Sequence, residues 1–594
     1  MSSYESEPQR NLYASLLHKD VMSPNLLESD EENDEDEKGE TEEEGTNDDE
    51  NQAGKTKKGK KDKSDKEDKD EKKEEEVAPI NIDRSGLQQR VVALDLPAGN
   101  HIELLGAKAG EVLVRTFAEG SGLLLQKYVV EDAEANEFVQ GAGSAVTSSN
   151  GEHILFSKGG GWQISSTAAK PNDEGKLNMD VRIKVDPQAE YDQIFKEGWR
   201  YMRDFLYVDN VHGAPWDDVY EWYAPWIDDV KHRTDLNYVV DILSGEVAVG
   251  HSYVSGGDTP DIETVPVGLL GADFTLNNGF YQLKKIYTGE SWNPNVRAPL
   301  AEPGLNVKQG DYLLSINGRE LNSATSPYKL LEQTANRTIT IEVADTPTGV
   351  RRELLVKPVS NERNLRTWSW IEDNRRKVDS MSNGTLAYVY VPNTGGQGYQ
   401  YFNRYYFSQQ DKQGVIIDER NNGGGSAADY MIDVLDRELF GYFNSRSKGN
   451  KPWTTPMAGI WGPKVMIINE RAGSGGDLLP YMFKEAEIGP LVGTRTWGGL
   501  VGTWDTPRFI DGGRMVAPRG GFFDADGNWA VEGEGVAPDI EVIQQPSLVN
   551  QGQDPQLERA VQEALRLIPS QTIKHKQEPA APVRWKRPTG FENE

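Results

Sequence analysis

Two glycine-rich segments in the last third of the chain carry the residues best suited to chemistry. Each follows an apolar run: residues 418–425 read Asp-Glu-Arg-Asn-Asn-Gly-Gly-Gly, and residues 469–477 read Asn-Glu-Arg-Ala-Gly-Ser-Gly-Gly-Asp. A serine such as Ser474, held at a strand-to-helix turn between small residues, presents its hydroxyl to substrate, and nearby backbone N–H groups can stabilise an oxyanion. Most serines in such loops are turn residues or helix N-caps, so the loop alone leaves a nucleophile and a structural serine both open.

Residue types disfavour several other chemistries. Neither segment has the Gly-Lys-Ser or Gly-Lys-Thr ending of a phosphate loop or the spacing of a dinucleotide fingerprint, which disfavours nucleotide binding. The chain has no cysteine, which excludes thiol nucleophiles, disulfides and thiolate metal sites. Its seven histidines are scattered, which disfavours a histidine-built zinc site. We therefore expect no metal and no organic cofactor.

The net charge of −31 argues against nucleic acid or an anionic membrane surface as the main partner. Much of this acidity lies in residues 28–76, where 24 Asp or Glu stand against 11 Lys and apolar side chains are nearly absent. Such a segment cannot bury enough surface to offset chain entropy, and we expect a disordered insertion. It is either an acidic interaction arm or, more simply, a solvated loop.

The elements that must position Ser474 fall into four regions. Residues 1–185, outside the acidic insertion, contain short β runs separated by Gly, Asn and Asp clusters, at 10–18, 90–96, 110–117, 123–130, 145–148, 153–158 and 161–165. This spacing is typical of antiparallel sheets, such as propeller blades or a sandwich. The runs are too few for a whole propeller, so we expect the end of a domain whose beginning is absent.

The second and fourth regions differ in the spacing of their apolar residues. Residues 186–261 place aromatic and apolar side chains near helical intervals, which predicts a small helical domain with an aromatic core. Residues 360–594 contain buried-strand runs at 385–391, 414–418 and 464–469, each followed by a glycine-rich turn and a helical stretch. This order predicts an α/β domain with its chemistry at the carboxyl ends of the strands, followed by a loose tail after Pro569.

The third region, residues 262–359, resembles a PDZ domain. Gly268-Leu269-Leu270-Gly271-Ala272-Asp273-Phe274 resembles the carboxylate-binding loop and first strand, and the segment 304–318 resembles the middle of the domain. In a PDZ domain, backbone N–H groups of the loop bind a peptide carboxylate and the strand edge accepts the peptide by β-augmentation. The alternative is a PDZ-like module that only orients its neighbours.

These motifs in this order resemble the C-terminal part of the tricorn proteases, serine peptidases related to the C-terminal processing peptidases. The resemblance implies a multidomain α+β chain. Its parts would be blades of a seven-bladed β-propeller in 1–185, a helical domain carrying the catalytic His in 186–261, a PDZ domain in 262–359, and an α/β catalytic domain of the tail-specific protease type in 360–594.

Carried over position by position, the resemblance makes Ser474 the nucleophile, His251 of the Gly-His-Ser-Tyr segment the base, and Glu532 the distal acid. The set makes chemical sense because a serine hydroxyl needs a neighbouring base and that base needs an orienting acid. For His251 alone, a packed or surface histidine is the simpler interpretation. The implied oxyanion donors are the N–H groups of Gly475 and Gly425.

The sequence departs from the family pattern at three positions. Gly250 replaces the serine that links the histidine to the glutamate, so Glu532 must reach His251 directly, through water or through another residue. Gly475 replaces a frequent aspartate but keeps the backbone donor. Phe443 follows Gly441-Tyr442 where the archaeal enzyme has an acidic residue that attracts a basic P1 side chain, so we predict an apolar P1 preference, with Phe443 and Gly424 binding substrate.

A Ser-Lys dyad, as in the C-terminal processing peptidases, is the nearest alternative catalytic set. Their lysine lies in a Thr-Phe-Gly-Lys motif, and the matching segment here is Thr496-Trp497-Gly498-Gly499. The lysine position holds glycine, which disfavours the dyad and supports His251 as the base.

The resulting expectation is a serine endopeptidase that cuts short, unfolded peptides, with no nucleic acid and no membrane among its partners. Family members form large homo-oligomers, commonly hexamers, and we expect oligomerisation here. No apolar run of about 18 residues or apolar leader occurs, which predicts a cytoplasmic protein, or a periplasmic one if an export signal precedes Met1. The alternative function is a non-catalytic PDZ scaffold that binds C-terminal peptide tails.

Overall fold

The computed structural model describes residues 9–24, 81–118, 122–172, 174–446, 452–504, 506–571, 573 and 576–585. The predicted acidic insertion, 28–76, lies outside them. The chain divides into two compact units, one of residues 6–183 and one that begins at Lys184. Among the described residues, no helix is long and apolar enough to cross a membrane.

The first unit is built of antiparallel sheets, as predicted. Two of them have four strands each, in the orders β3-β4-β5-β6 and β10-β9-β8-β7, and a third pairs β1 with β2. Within the described residues neither four-stranded sheet closes on itself. The strands are β1 Tyr13–Ser15, β2 Val91–Ala93, β3 His101–Gly106, β4 Glu111–Ala118, β5 Gly122–Val129, β6 Glu134–Gln140, β7 Ala145–Thr147, β8 His153–Lys158, β9 Gly161–Ser166 and β10 Lys176–Leu177.

The second unit begins with the predicted helical region, made of α1 Pro187–Phe205, α2 Trp216–Tyr223 and α3 Arg233–Gly245. The first helix starts at a strong signal, because Asp186 caps its N-terminus and Pro187 takes the first helical position. Its buried face packs with α3 in an apolar core. Among the contacts that join this region to the catalytic region, the strand β11 Tyr253–Ser255 pairs with residues 514–516, and buried Arg233 forms an ion pair with Asp511.

A six-stranded sheet follows, where the sequence predicted a PDZ domain. Its order is β12-β13-β14-β16-β17, with β15 beside β14, so β12 is an edge strand. The elements are β12 Ala272–Asn277, β13 Phe280–Ile286, β14 Tyr312–Ile316, β15 Arg319–Glu320, α4 Pro327–Leu330, β16 Ile339–Ala344 and β17 Arg352–Val356.

The last region is the predicted α/β layer. A five-stranded sheet runs in the order β18-β19-β22-β23-β27 with all neighbours parallel, and its first two strands are wholly buried because helices cover it. The elements are α5 Arg363–Met381, β18 Leu386–Tyr390, α6 Gly396–Phe407, β19 Gly414–Asp418, α7 Ala428–Leu435, β20 Gly441–Phe443, β21 Trp453–Thr455, β22 Lys464–Ile468, α8 Gly475–Glu485, β23 Leu491–Gly493, β24 Gly502–Thr503, β25 Arg514–Val516, β26 Pro518–Gly520, β27 Ile540–Glu541, α9 Pro546–Val549 and α10 Pro555–Gln571.

Candidate active site

Ser474 lies at a sharp turn between β22 and α8, and its backbone is strained. Its φ is 60° and its ψ is −120°, a conformation that costs a non-glycine residue about 1–3 kcal/mol. The Ser474 N–H donates to the carbonyl of Gly499 and to Oδ2 of Asp477, both at 2.9 Å. A serine forced into such a strand-to-helix turn is the arrangement that exposes a nucleophilic hydroxyl in α/β hydrolases.

Asp477 fixes this turn against the segment 496–499. Its carboxylate is fully buried and accepts from the N–H of Gly498 at 2.8 Å and of Gly499 at 3.0 Å, besides that of Ser474. Burial raises the pKa of the Asp477 carboxyl above its ordinary value, and the hydrogen bonds from Thr496 and these backbone groups only partly oppose it. Asp477 was not predicted from the sequence, although Ser-x-x-Asp at a helix start is a capping-box spacing that signals it.

The glycine triplet 423–425 packs directly on Ser474. A Cβ added at Gly424 would lie 2.6 Å from Cβ and 2.9 Å from Oγ of Ser474, so only glycine fits there. A Cβ added at Gly475 would lie 2.8 Å from the nitrogen of Gly425 and 2.0 Å from Oγ1 of Thr394. The two glycine-rich segments of the sequence therefore meet at the serine hydroxyl.

Two backbone donors at this meeting point remain open. The N–H of Gly423 donates to the Pro392 carbonyl at 3.1 Å, and that of Gly424 donates to Oδ1 of Asn422 at 2.9 Å. The N–H groups of Gly425 and Gly475, in contrast, donate to no acceptor within the described part of the chain. These are the two groups that the resemblance implies as oxyanion donors, a role that requires unused N–H groups.

His251 approaches from the segment between α3 and β11. It has a positive φ of 59°, and its half-buried ring packs edge-on against Trp497, with centroids 5.1 Å apart. The Trp497 ring also lies against Gly473, where a Cβ would be 2.5 Å from it. Trp497 thus connects the imidazole to the residue before Ser474. Within the described residues, Nδ1 of His251 is buried without a hydrogen-bond partner, and no hydrogen bond joins the ring to Ser474.

Glu532 holds the backbone next to His251 rather than the imidazole. Its Oε1 accepts from the N–H of Gly250 at 2.7 Å, and its Oε2 accepts from Leu500 at 2.7 Å and Val501 at 2.9 Å. A Cβ at Gly250 would lie 3.1 Å from Oε1, so the glycine lets the carboxylate approach closely. Glu532 therefore reaches the histidine segment without the serine that the family places at this position.

Burial and charge act in opposite directions on His251. Burial lowers the pKa of the imidazole below its ordinary value, and the negative charges of Glu532 and Asp477 raise it, with burial the stronger effect. The imidazole is therefore neutral at neutral pH, the form that can accept a proton.

The remaining predicted site residue, Phe443, lies in the hairpin of β20 and β21. It is 56% exposed, and its ring stacks on Trp453 at 5.8 Å. Among the described residues, no hydrogen bond or ring contact joins it to Ser474. The structure therefore places six of the seven predicted site residues near the segment 497–501: Ser474, His251, Glu532, Gly424, Gly425 and Gly475. Within one chain, Phe443 does not lie among them.

Two further buried groups support the glycine triplet, and neither was predicted from the sequence. Glu419 accepts from Nδ2 of Asn422 at 3.1 Å, and burial raises the pKa of this carboxyl well above its ordinary value. Thr394 is fully buried, and its N–H donates to the carbonyl of Gly424 at 2.9 Å. Its hydroxyl has no partner within the described residues. No sequence pattern distinguishes either residue, because their positions arise only from tertiary packing.

Comparison with known families matches three parts of the chain. The Tricorn protease C1 domain matches residues 187–245, the Tricorn protease PDZ domain matches 268–361, and Peptidase family S41 matches 385–542. Ser474 and Glu532 lie inside the S41 match, and His251 lies between the other two.

Similar proteins are known from several organisms. The Tricorn protease of Thermoplasma volcanium is 32% identical over 444 residues, which are 74% of this chain and 43% of the relative. Tricorn protease homolog 1 of Streptomyces coelicolor is 30% identical over 510 residues, 82% of this chain and 47% of the relative. A crystal structure of the tricorn protease has a TM-score of 0.76 at 28% identity and aligns with 83% of this chain and 49% of that one. The chain spans about half the length of the curated relatives it matches.

Proposed function

Because the chain belongs to the tricorn protease family over its C1, PDZ and peptidase S41 domains, we propose that it is a serine peptidase that cleaves short, unfolded peptides. The observation that carries the proposal is the strained turn at Ser474 with two open backbone donors, those of Gly475 and Gly425, beside its hydroxyl. A structural serine needs neither the strain nor the unused donors.

The proposed reaction is acyl transfer through Ser474. The neutral imidazole of His251 takes the proton of the serine hydroxyl as Oγ attacks the peptide carbonyl, and it then gives that proton to the leaving amine. The developing oxyanion accepts from the N–H groups of Gly475 and Gly425. Water then hydrolyses the acyl-enzyme by the same proton route in reverse. Glu532 acts as a positioning residue that holds the backbone at Gly250 and stabilises the imidazolium by its charge.

A variant pair tests this proposal. Ser474→Ala should abolish cleavage of a pool of short unstructured peptides, while Ser426→Ala, which changes a serine next to the glycine triplet, should keep it within a few-fold of the wild type. Undiminished cleavage by Ser474→Ala would contradict the assignment.

The proposal includes an apolar P1 preference set by Phe443. Support comes from the exposed aromatic pair of Phe443 and Trp453, since an apolar surface favours apolar side chains and offers no partner for Lys or Arg. Because no contact joins Phe443 to Ser474 within one chain, we expect the hairpin to act on the site of a neighbouring copy. Matched peptides with Leu or Arg at P1 test this: the wild type should favour Leu, and Phe443→Asp should reverse the order. A strong wild-type preference for Arg would contradict it.

Two further proposals concern the sheets of the first unit and the oligomeric state. The two four-stranded antiparallel sheets of residues 6–183 have the strand arrangement of propeller blades, and we propose that they are the end of a β-propeller. We also propose a homo-oligomer, which light scattering on the purified chain would test. A monomer at micromolar concentration would contradict the oligomer and the shared role of Phe443.

A further inference from the structure

The carboxylate-binding loop of the PDZ domain has already used most of its donors. The N–H of Gly268 donates to the carbonyl of Leu331 at 2.9 Å, and that of Leu269 donates to the carbonyl of Val359 at 2.8 Å. The N–H of Gly271 donates to Oε2 of Glu362 at 2.9 Å. A carboxylate of the chain itself therefore occupies one donor of the loop, and among the described residues only the N–H of Leu270 in this loop has no acceptor.

Glu362 is held firmly in this position. Its side chain is only 11% exposed, and Nε of Arg366 donates to its other oxygen, Oε1, at 2.7 Å. Arg366 also donates to Oδ1 of Asp273, at the start of β12, at 2.7 Å. Burial raises the pKa of the Asp273 carboxyl, but the hydrogen bonds from Arg366 and Tyr287 outweigh it and keep that pKa below its ordinary value. Arg366 thus connects the two carboxylates, and the positive charge of Lys285 also acts on Asp273.

An apolar side chain accompanies this carboxylate. Leu365 is 1% exposed, and its Cδ2 lies 3.0 Å from the position of a Cβ added at Gly271. A carboxylate beside a buried apolar side chain is also what a C-terminal leucine offers to a PDZ domain. The start of α5 therefore presents to the loop the chemistry of a peptide terminus.

The strand edge beside the loop remains open. In the described sheet β12 pairs only with β13, and a cleft of about 460 Å³ lies between β12 and α4, lined by Phe274, Ser326 and Tyr328 among others. A peptide has room to add to this edge, but its terminal carboxylate would meet Glu362 and Asp273. Their negative charges oppose binding of that carboxylate, against the positive charge of Lys284 in the lining of the cleft.

We propose that Glu362 is an internal ligand of the PDZ carboxylate loop. By filling the loop, Glu362 fastens the PDZ domain to α5 of the catalytic region and prevents it from capturing free C-termini. The inference concerns the PDZ domain alone and is independent of the role of Ser474.

Anisotropy binding with the full chain tests this inference, in a Ser474→Ala background that only prevents cleavage. The probe is a fluorescein-labelled octapeptide pool, randomised except for a C-terminal leucine, with the same pool amidated as its control. The chain with an unchanged PDZ domain should bind the carboxylate pool no more tightly than the amide pool. Glu362→Ala, which leaves Arg366 paired with Asp273, should bind the carboxylate pool at least tenfold more tightly than the amide pool. Glu353→Ala, an exposed carboxylate on β17, is the matched control and should behave like the wild type.

Hydrogen exchange provides a second readout that does not depend on peptide sequence. Glu362→Ala should speed exchange in the segment 268–274, because the Gly271 N–H loses its acceptor, and the carboxylate pool should slow it again. The inference is overturned if the chain with Glu362 binds the carboxylate pool as tightly as the variant does. It is also overturned if exchange in 268–274 is unchanged by the substitution, or if the variant gains no carboxylate preference.

Discussion

The loop at Ser474 and the carboxylate loop of the PDZ domain are both rich in glycine, but they differ in how many of their backbone N–H groups are already hydrogen-bonded. Within the described residues the N–H groups of Gly475 and Gly425 at Ser474 have no acceptor, whereas in the PDZ loop those of Gly268, Leu269 and Gly271 donate to the chain itself and only that of Leu270 has none. Both loops can form anion sites by their residue types. The difference shows that an anion site is defined by which donors the fold leaves unused, and this depends on residues far away in sequence, such as Glu362.

The largest effect on peptide cleavage should come from a substitution that displaces the unused N–H groups beside Ser474. Gly475→Ala would place a Cβ 2.0 Å from Oγ1 of Thr394 and 2.4 Å from the carbonyl oxygen of Gly425, which forces the two donors apart. We expect kcat/KM for peptide cleavage to fall about 10²–10³-fold or more, the loss typical of one oxyanion donor. Gly423→Ala is the matched control, because its Cβ would meet open space at an ordinary φ, and it should stay within a few-fold of the wild type. Equal losses in both variants would refute the donor assignment.

A smaller effect is expected from Glu532→Gln. The loss in kcat/KM should be about tenfold to a hundredfold, below the ~10⁴-fold loss for an acid bonded directly to its histidine, because within the described residues Glu532 accepts hydrogen bonds only from backbone N–H groups.

The pH profile of the same variant checks the electrostatics. Activity needs neutral His251, so the acid limb should lie below the ordinary histidine pKa of about 6.5. Glu532 raises the pKa of His251, so its removal should move the limb to still lower pH. The exposed neighbour Glu534→Gln is the control and should not shift it. An acid limb that stays in place in Glu532→Gln would show that the charge of Glu532 does not act on the base.

The smallest effect on peptide cleavage should come from a substitution in the carboxylate loop of the PDZ domain. Gly271→Ala strains a φ of 70° and brings a Cβ within 3.0 Å of Leu365, so it should lower Tm. Gly318→Ala is the matched control, because Gly318 has a φ of 71° and an added Cβ would meet open space. The difference between the two variants therefore gives the cost of the contact with Leu365. We expect Tm to fall about 2–4 °C more for Gly271→Ala than for Gly318→Ala, which corresponds to a loss of about 1 kcal/mol in the free energy of unfolding. Cleavage should stay within twofold of the wild type. A large loss of cleavage without loss of Tm would mean that the PDZ loop takes part in catalysis.

The buried strands of the catalytic region could be predicted from sequence because they are continuous apolar runs. The strand predicted at 414–418 coincides with β19, and that at 464–469 differs from β22 by one residue. The strands β3 and β6 were not predicted, since polar residues interrupt their apolar runs: His101 and Glu103 in β3, and Glu134, Asn136 and Glu137 in β6. Pairing with β4 and β5, which the sequence does not display, fixes them as strands.

The site was predictable where function requires a particular residue type. The loops show Ser474 only as a candidate nucleophile, and the roles of Ser474, Gly475 and Gly425 come from the resemblance to the tricorn proteases. The contact of Glu532 with Gly250 does not follow from them, because it needs the helical region to fold back through the pairing of β11 with β25. The positions of Trp497 and Thr394 likewise depend on packing between segments that are distant in sequence.

Labelling of the folded full chain with a fluorophosphonate, followed by mass spectrometry of its peptides, tests the central claim most directly. The account predicts one adduct, on Ser474, at near-stoichiometric yield, with the rate strongly reduced in His251→Ala and no labelling in Ser474→Ala. Absence of an adduct on the folded wild-type chain, or undiminished labelling of Ser474→Ala at another serine, would contradict it.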